Sequence, residues 1–489
     1  MNKKVSIIIS SVILLVLILL MVFLLKTPES QPADIPSSSQ TVETIKSIEP
    51  FWEYDVNDIE IIDIKNIQDE YVIEKSGDVY TIKEIDVIEN NENYTKLIQY
   101  ISKIKPSELV EENAQDLSKY GFDSPLATIN LKTSNNENQT MIIGNNVVVT
   151  NNYYVKNINS NDVYILSSSI AESFLNRKED FVKTTLINPP IDPNVAPVLN
   201  YVTYKSPASE HVIQIEKSSD ELAEMYLTHE VTQPVKAMAH ADFLNTNLFV
   251  ILSGLNADNV VKANVTLEEA TEYGINENHI LEVQIDEKTY KLYIGNEAEE
   301  ILPPYKEIKD DYAKKIDGYY VMLEGVNVVY KVKTPKMPWL NMTPDDVISS
   351  LIILPNINDV STLTLTTKKS EYLFEINGSS EDDTLKAKYN SQELDLDYFK
   401  KFYQAVLSIP ANGLDFTVSE KDPYLSYRYT YDDDNREDTL IEIRENTDRT
   451  MLISVNGEQI YYTYATSVNA LINKIEPLIN GEEVTADLN

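Results

Sequence analysis

Short apolar runs alternating with polar residues fill most of this 489-residue chain, and the alternation is interrupted at only a few places by a helical period. Asp58–Ile64, Tyr71–Glu74 and Val79–Ile82 read as strands, the last two joined by a hairpin at Ser76-Gly77-Asp78. Tyr94, Leu97, Ile98, Ile101 and Ile104 then recur at helical spacing, and Glu108–Tyr120 is expected to be a shorter second helix ended by Gly121. Strands follow at Ala127–Leu131, Gln139–Ile143, Tyr153–Lys156 and Val163–Leu166, with a closing helix near Ser167–Leu175. Asn188-Pro189-Pro190-Ile191-Asp192-Pro193 breaks every regular pattern.

The plan then recurs. Strands are expected at Leu199–Tyr204 and His211–Glu216, helices around Ala241–Gly254 and Thr266–Tyr273, and strands at Leu281–Ile285, Thr289–Ile294, Gly318–Leu323 and Val328–Val332. Particular residues recur with it. Tyr120-Gly121-Phe122-Asp123, Ile143-Gly144-Asn145 and Tyr153-Tyr154-Val155 are answered by Tyr273-Gly274-Ile275-Asn276, Ile294-Gly295-Asn296 and Tyr319-Tyr320-Val321. Each Tyr-Gly glycine stands where a helical turn must give way to a strand. Each Gly-Asn pair fits a tight turn between strands. After Pro335, Pro338 and Pro344 a third, more divergent stretch has strands at Thr362–Thr366 and Tyr372–Ile376, a helical face of Leu396, Phe399, Phe402, Tyr403, Val406 and Leu407, strands at Tyr427–Tyr431, Thr439–Ile443, Arg449–Val455 and Gln459–Tyr464, and a final helix at Ser467–Ile479. Its Tyr461-Tyr462 falls near the place expected for the tyrosine pair. These patterns predict an α+β fold of tandem repeated modules, mainly antiparallel sheet with helices: residues 51–190, 195–339 and a divergent 341–489.

The N-terminus is of another kind. From Val5 to Leu25 no residue is charged, and at about 1.5 Å per residue the run spans roughly 30 Å, the thickness of a hydrocarbon core. Lys3 and Lys4 precede it, which places the N-terminus in the cytoplasm and the C-terminal domains outside. Residues 1–26 are therefore expected to form a cytoplasmic tip and transmembrane helix acting as an uncleaved signal anchor, and the Pro- and Ser-rich residues 27–50 a stalk.

Composition narrows the function. A net charge of −37 argues against nucleic acid and favours cationic partners. With no cysteine, disulfides, thiol nucleophiles and Cys-ligated metals are excluded. His229-Glu230 opens like a metalloprotease motif, but Gln233-Pro234 stands where the second histidine is needed. Asp432–Asp438 is acidic enough for calcium, yet it lacks the central glycine, and Ile443 occupies the place of the distal glutamate. No cofactor, metal or catalytic set is expected, and the protein reads as a non-enzyme. One segment stands out. Between Gly295-Asn296 and Tyr319 a long insertion carries Ile301, Leu302, Pro303, Pro304 and Tyr305, a candidate partner-docking loop.

The recurring Tyr-Gly, Gly-Asn and Tyr-Tyr-Val marks resemble the bacterial domain-of-unknown-function 4340 family, most closely over Leu117–Leu186, less so over Leu267–Val332 and weakly beyond. The resemblance implies a membrane-tethered extracytoplasmic protein of the bacterial cell envelope. Such proteins are often encoded beside ABC transporter subunits of the gliding-motility type, and the family carries no assigned catalytic residue. The expected function is an accessory or scaffold protein associated with an ABC-type transporter complex. A cell-wall polymer or glycan-binding module is the alternative, on the strength of 31 tyrosines, and a carboxylate hydrolase comes third.

Overall fold

Period-two patterning produces strands here wherever a long-range partner exists, and the computed structural model assembles them into three large sheets. It describes residues 48–86, 92–218, 228–301, 314–380, 383–433 and 436–488. The segments expected to form the anchor and most of the stalk lie outside the described residues. Among the described residues, no helix is long and apolar enough to cross a membrane.

In spatial order the first sheet runs Val79–Ile82, Glu70–Ser76, Ile59–Asn66, Ala127–Thr133, Asn138–Asn146, Tyr153–Asn157, Val163–Leu166, Glu108–Glu111. The second runs Ala237–Met238, His229–Gln233, Ile213–Lys217, Leu199–Lys205, Ile280–Ile285, Lys288–Glu299, Ile316–Leu323, Val328–Lys333, Asn259–Ala263. The third runs Gln392–Glu393, Lys386–Tyr389, Glu371–Asn377, Val360–Thr367, Leu425–Tyr431, Thr439–Glu445, Thr450–Val455, Glu458–Tyr464, Gly413–Leu414. Numbered along the chain within each sheet, the second and third share the order 4-3-2-1-6-7-8-9-5. The first has the same order without its fourth strand. Neighbouring strands are antiparallel, as at Ile62↔Leu131, Val202↔Val283 and Leu363↔Tyr429, where the two meanders of each sheet meet.

One helical block precedes the returning edge strand of each sheet. Glu92–Ser102 buries Tyr94, Leu97, Ile98 and Ile101, and Leu396–Leu407 buries Phe399, Phe402, Tyr403, Ala405 and Val406, so both amphipathic faces point as their spacing predicts. Asp395 caps the second of these helices by accepting from the backbone N–H groups of Asp397 and Tyr398. Between these, residues 241–253 coil as an α turn, a π turn at Leu244–Leu248 and a 3-10 turn at Phe249–Ser253. Most buried apolar residues of all three sheets join one continuous core from Trp52 to Val484, and residues 48–489 form one compact unit.

Some sequence expectations change. Ile104, expected to end the first helical stretch, lies instead in the short strand Lys103–Ile104. Glu108–Tyr120 is not a helix: Glu108–Glu111 is a strand paired with Val163–Leu166, and only Ser118–Tyr120 coils, as a 3-10 turn. Asn113, at φ 50°, turns the chain between them, and sheet pairing across some fifty residues overrides local helical spacing. Tyr461-Tyr462 also differs from the other pairs. It occupies the last strand of the third sheet, Glu458–Tyr464, whereas Tyr153-Tyr154 and Tyr319-Tyr320 lie one strand earlier in theirs.

The connectors are stapled into the sheets that follow them. Thr185–Ile187 pairs with Leu255–Asn256, and the 3-10 turn Lys178–Phe181 packs beside the edge strand Asn259–Ala263. There Arg177 Nη2 donates to Val260 O at 3.0 Å, while Asn264 exchanges hydrogen bonds with Glu84 O and the Asp86 N–H. At the next junction the His240 N–H donates to Val347 O at 2.7 Å and the Ala411 N–H to Ser350 O at 2.8 Å. Asp345 Oδ1 accepts from the Leu414 N–H at 2.8 Å, on the edge strand Gly413–Leu414.

Candidate functional site

The recurring marks, some twenty residues apart along the chain, meet in space. Ser118–Tyr120 ends at Gly121 with φ +83°, and Glu269–Tyr273 ends at Gly274 with φ +76°; both are left-handed positions that glycine adopts at little cost. A Cβ on Gly121 would collide with the Asn145 amide, and one on Gly274 with that of Asn296. Reciprocally, a Cβ on Gly144 would strike Tyr120 O, and one on Gly295 would strike Tyr273 O. Gly144 and Gly295 are therefore not turn residues, as their Gly-Asn dipeptides suggest. They lie within the strands Asn138–Asn146 and Lys288–Glu299, where a neighbouring backbone comes too close for any side chain. Each Tyr-Gly turn is clasped onto the sheet by glycine on one side and asparagine on the other.

Aromatic rings complete each clasp. Tyr120 meets Tyr154 edge-on with centroids 4.9 Å apart, and Tyr273 meets Tyr320 likewise at 5.1 Å. Strand alternation sends Tyr153 into the main core and Tyr154 to the opposite face, where Ala114, Tyr120 and Val163 form a small separate core. The second sheet builds a larger one from Val265, Ala270, Ile275, Tyr293, Met322 and Val329, with Tyr320 packed against it. The second ring of each pair is thus engaged with a partner ring.

Charges finish these outer faces. Lys119 lies 4.8 Å from the Tyr120 ring centroid and 2.5 Å from Glu111, which also accepts the Tyr120 hydroxyl. Those two hydrogen bonds, from Lys119 first and Tyr120 second, hold the Glu111 carboxyl below its ordinary range. Lys291 repeats the arrangement beside Tyr293, 3.1 Å from Glu277 and 3.6 Å from Glu324. Burial by itself would lower its ammonium; hydrogen bonds with Glu277 and Tyr293 outweigh it and raise the pKa.

Comparison with known proteins bears directly on these marks. Residues 80–277 match the family model described as Domain of unknown function (DUF4340). No curated protein and no solved structure matches the chain. The DUF4340 match covers less than half the chain. It takes in the whole first clasp and the Tyr273-Gly274 turn of the second, and crosses the proline-rich break between the first two sheets. The third sheet lies beyond it.

The insertion in the second sheet grows out of a hairpin. Glu299 pairs with Ile316, the Glu300 N–H donates to Lys315 O at 2.8 Å, and the Lys315 N–H donates to Glu300 Oε1 at 3.1 Å. Ile301 is the last described residue on the way out and is partly exposed; Leu302, Pro303, Pro304 and Tyr305 lie outside the described residues. A buried ion pair anchors the hairpin base. Lys331, only 1% exposed, stands 2.5 Å from Asp317 Oδ1, off the hydrogen-bond direction, and Lys333 Nζ lies 3.8 Å from Asp317 Oδ2.

Two of the four histidines are packed into the second sheet. His229 Nε2 lies 2.8 Å from Leu199 O, which can only accept, so Nε2 carries the proton and Nδ1 accepts from Thr228. Burial lowers its pKa. His279 stacks edge-on against Tyr204, and burial takes its pKa down to about 4. At the acidic tip, Arg436 covers the Tyr431 ring and pairs with Asp359. Among the described residues no three acidic or histidine side chains converge as a metal site.

Sequence patterning missed two features at the edge of the first sheet. Glu108–Glu111 is hidden in the expected helix. Beyond its end an open polar cleft of about 720 Å³ is lined by Glu112, Asn113, Ile158, Asn159, Ser160 and Asp162 among others. Glu108-Leu109-Val110-Glu111 does not alternate and none of its residues is buried, so it carries no period-two signal.

Proposed function

We propose that this protein is a non-enzymatic, membrane-anchored extracytoplasmic scaffold built of three tandem copies of one module, serving an ABC-type transporter complex. The shared strand order of the three sheets is the observation that carries the scaffold reading: duplication multiplies surfaces, whereas a catalytic constellation is rarely needed in several copies. The use of recurring tyrosines, glycines and asparagines to clasp turns onto sheets supports it further. The anchor rests on the apolar run Val5–Leu25, and the transporter on the family resemblance alone.

The experiment is affinity purification of the full chain from detergent-extracted membranes, with protease shaving of intact cells beforehand. Resistance to carbonate extraction, external cleavage and co-purification of ABC subunits are the expected results. A soluble protein, or a membrane protein with no transporter subunit enriched, overturns the reading.

A further inference from the structure

The returning edge strands of the three sheets are not treated alike. In the second sheet, Asn259–Ala263 is covered by the connector from the first, through Arg177 on Val260 O and the turn Lys178–Phe181. In the third sheet, the connector from the second covers Gly413–Leu414, with Asp345 taking the Leu414 N–H. The equivalent strand of the first sheet, Glu108–Glu111, pairs with Val163–Leu166 on one side and stands last in its sheet on the other. Leu109 and Val110 are each 37% exposed, and no strand lies beyond them among the described residues. An open strand edge is a template for another extended chain.

Charge selects what can occupy it. Glu108 and Glu111 flank the apolar pair, the exposed Glu112 follows, and the strand leads into the polar cleft with Glu112 and Asp162 on its wall. Asp162 Oδ1 accepts from the Asn113 N–H at 2.7 Å, and neither it nor Glu112 has an ion-pair partner among the described residues. A second copy of this chain, at −37, would be repelled. We propose that the edge Glu108–Glu111 receives an extended, basic segment of a partner protein by strand addition, with a lysine or arginine of that segment entering the cleft beside Glu112 and Asp162. The contact would continue the series in which a foreign connector covers each returning strand, and an arginine already plays that part at Val260. The proposal rests on the scaffold reading and concerns a surface separate from the hairpin at Ile301.

The probe is a synthetic peptide alternating valine with lysine, compared with its valine–glutamate counterpart, on the full-length protein in detergent. Hydrogen exchange is read by mass spectrometry. The lysine peptide should slow exchange across Glu108–Glu112 at least tenfold and leave Asn259–Ala263 unchanged, and Glu112→Lys should weaken that binding at least fivefold. Unchanged exchange in the third sheet checks that the variant is folded. No protection at Glu108–Glu112, equal protection by the glutamate peptide, or undiminished binding to the Glu112→Lys protein overturns the proposal. Such a failure leaves the co-purification test untouched, so the two readings fail separately.

Discussion

At the scale of single residues, the glycines of the two clasps differ from those of ordinary turn tips. Gly77, at φ +66°, has open space where a Cβ would stand, so Gly77→Ala meets only backbone strain, roughly 1 kcal/mol. Gly144 has a carbonyl there. Gly144→Ala should destabilise by about 1–3 kcal/mol through overpacking against backbone that cannot rotate away, and urea unfolding of the two variants side by side measures the difference. A second residue prediction concerns acid. His279 carries a folded pKa of about 4 because burial disfavours its charged form, while an unfolded histidine titrates near ~6.5. Between those values the unfolded chain binds the extra proton. Stability is therefore intact above the unfolded pKa and falls as pH drops toward 4. His279→Gln should flatten this part of the Tm-against-pH curve, and an unchanged slope would contradict the assignment. The recurrence of Tyr-Gly and Gly-Asn was legible in the sequence; their mutual contact was not, because which strand passes beneath which turn is a property of sheet register.

For elements, periodicity was sufficient wherever an element buries one long face. The helix Leu396–Leu407 and the strands Ile59–Asn66 and Val360–Thr367 follow their patterns closely. It failed at Glu108–Glu111, a short edge strand whose four residues are all at least partly exposed, since a strand with no buried side has nothing to alternate. It also missed the elongation of the Lys288–Glu299 hairpin, which was expected to turn at Gly295 and instead runs on through it. The insertion from Ile301 follows from that elongation. Replacing residues 301–315 with a two-residue turn should leave Tm within a few degrees of the parent, because the Asp317–Lys331 pair and the Ile294↔Val321 ladder lie below the cut. Partner association should fall in the same variant. Thermal melting and co-purification separate the outcomes, and unfolding of the second sheet would return Ile301 and its neighbours to the core.

For the whole molecule, the proline-rich breaks mark where one sheet's sequence ends, but they do not mark where its hydrogen bonds end. Each connector completes the sheet after it, so the natural cut through this chain falls upstream of the visible break. A fragment starting at Val195 loses Arg177 and the Lys178–Phe181 turn, leaving Asn259–Ala263 a bare margin. Unlike Glu108–Glu111, the strand Asn259–Ala263 carries no acidic side chain to hold two copies apart, so such a fragment should self-associate on size exclusion, whereas one starting at Ser168 should run as a monomer. The shared strand order was foreshadowed by the recurring residues, but this overlap was not, because a hydrogen bond from one sheet's connector to the next sheet leaves no periodic trace. Gene truncations and domain shuffling would face the same constraint as the bench. A sheet moved without the connector that precedes it arrives adhesive, and a lineage that keeps the sheet has reason to keep the two together.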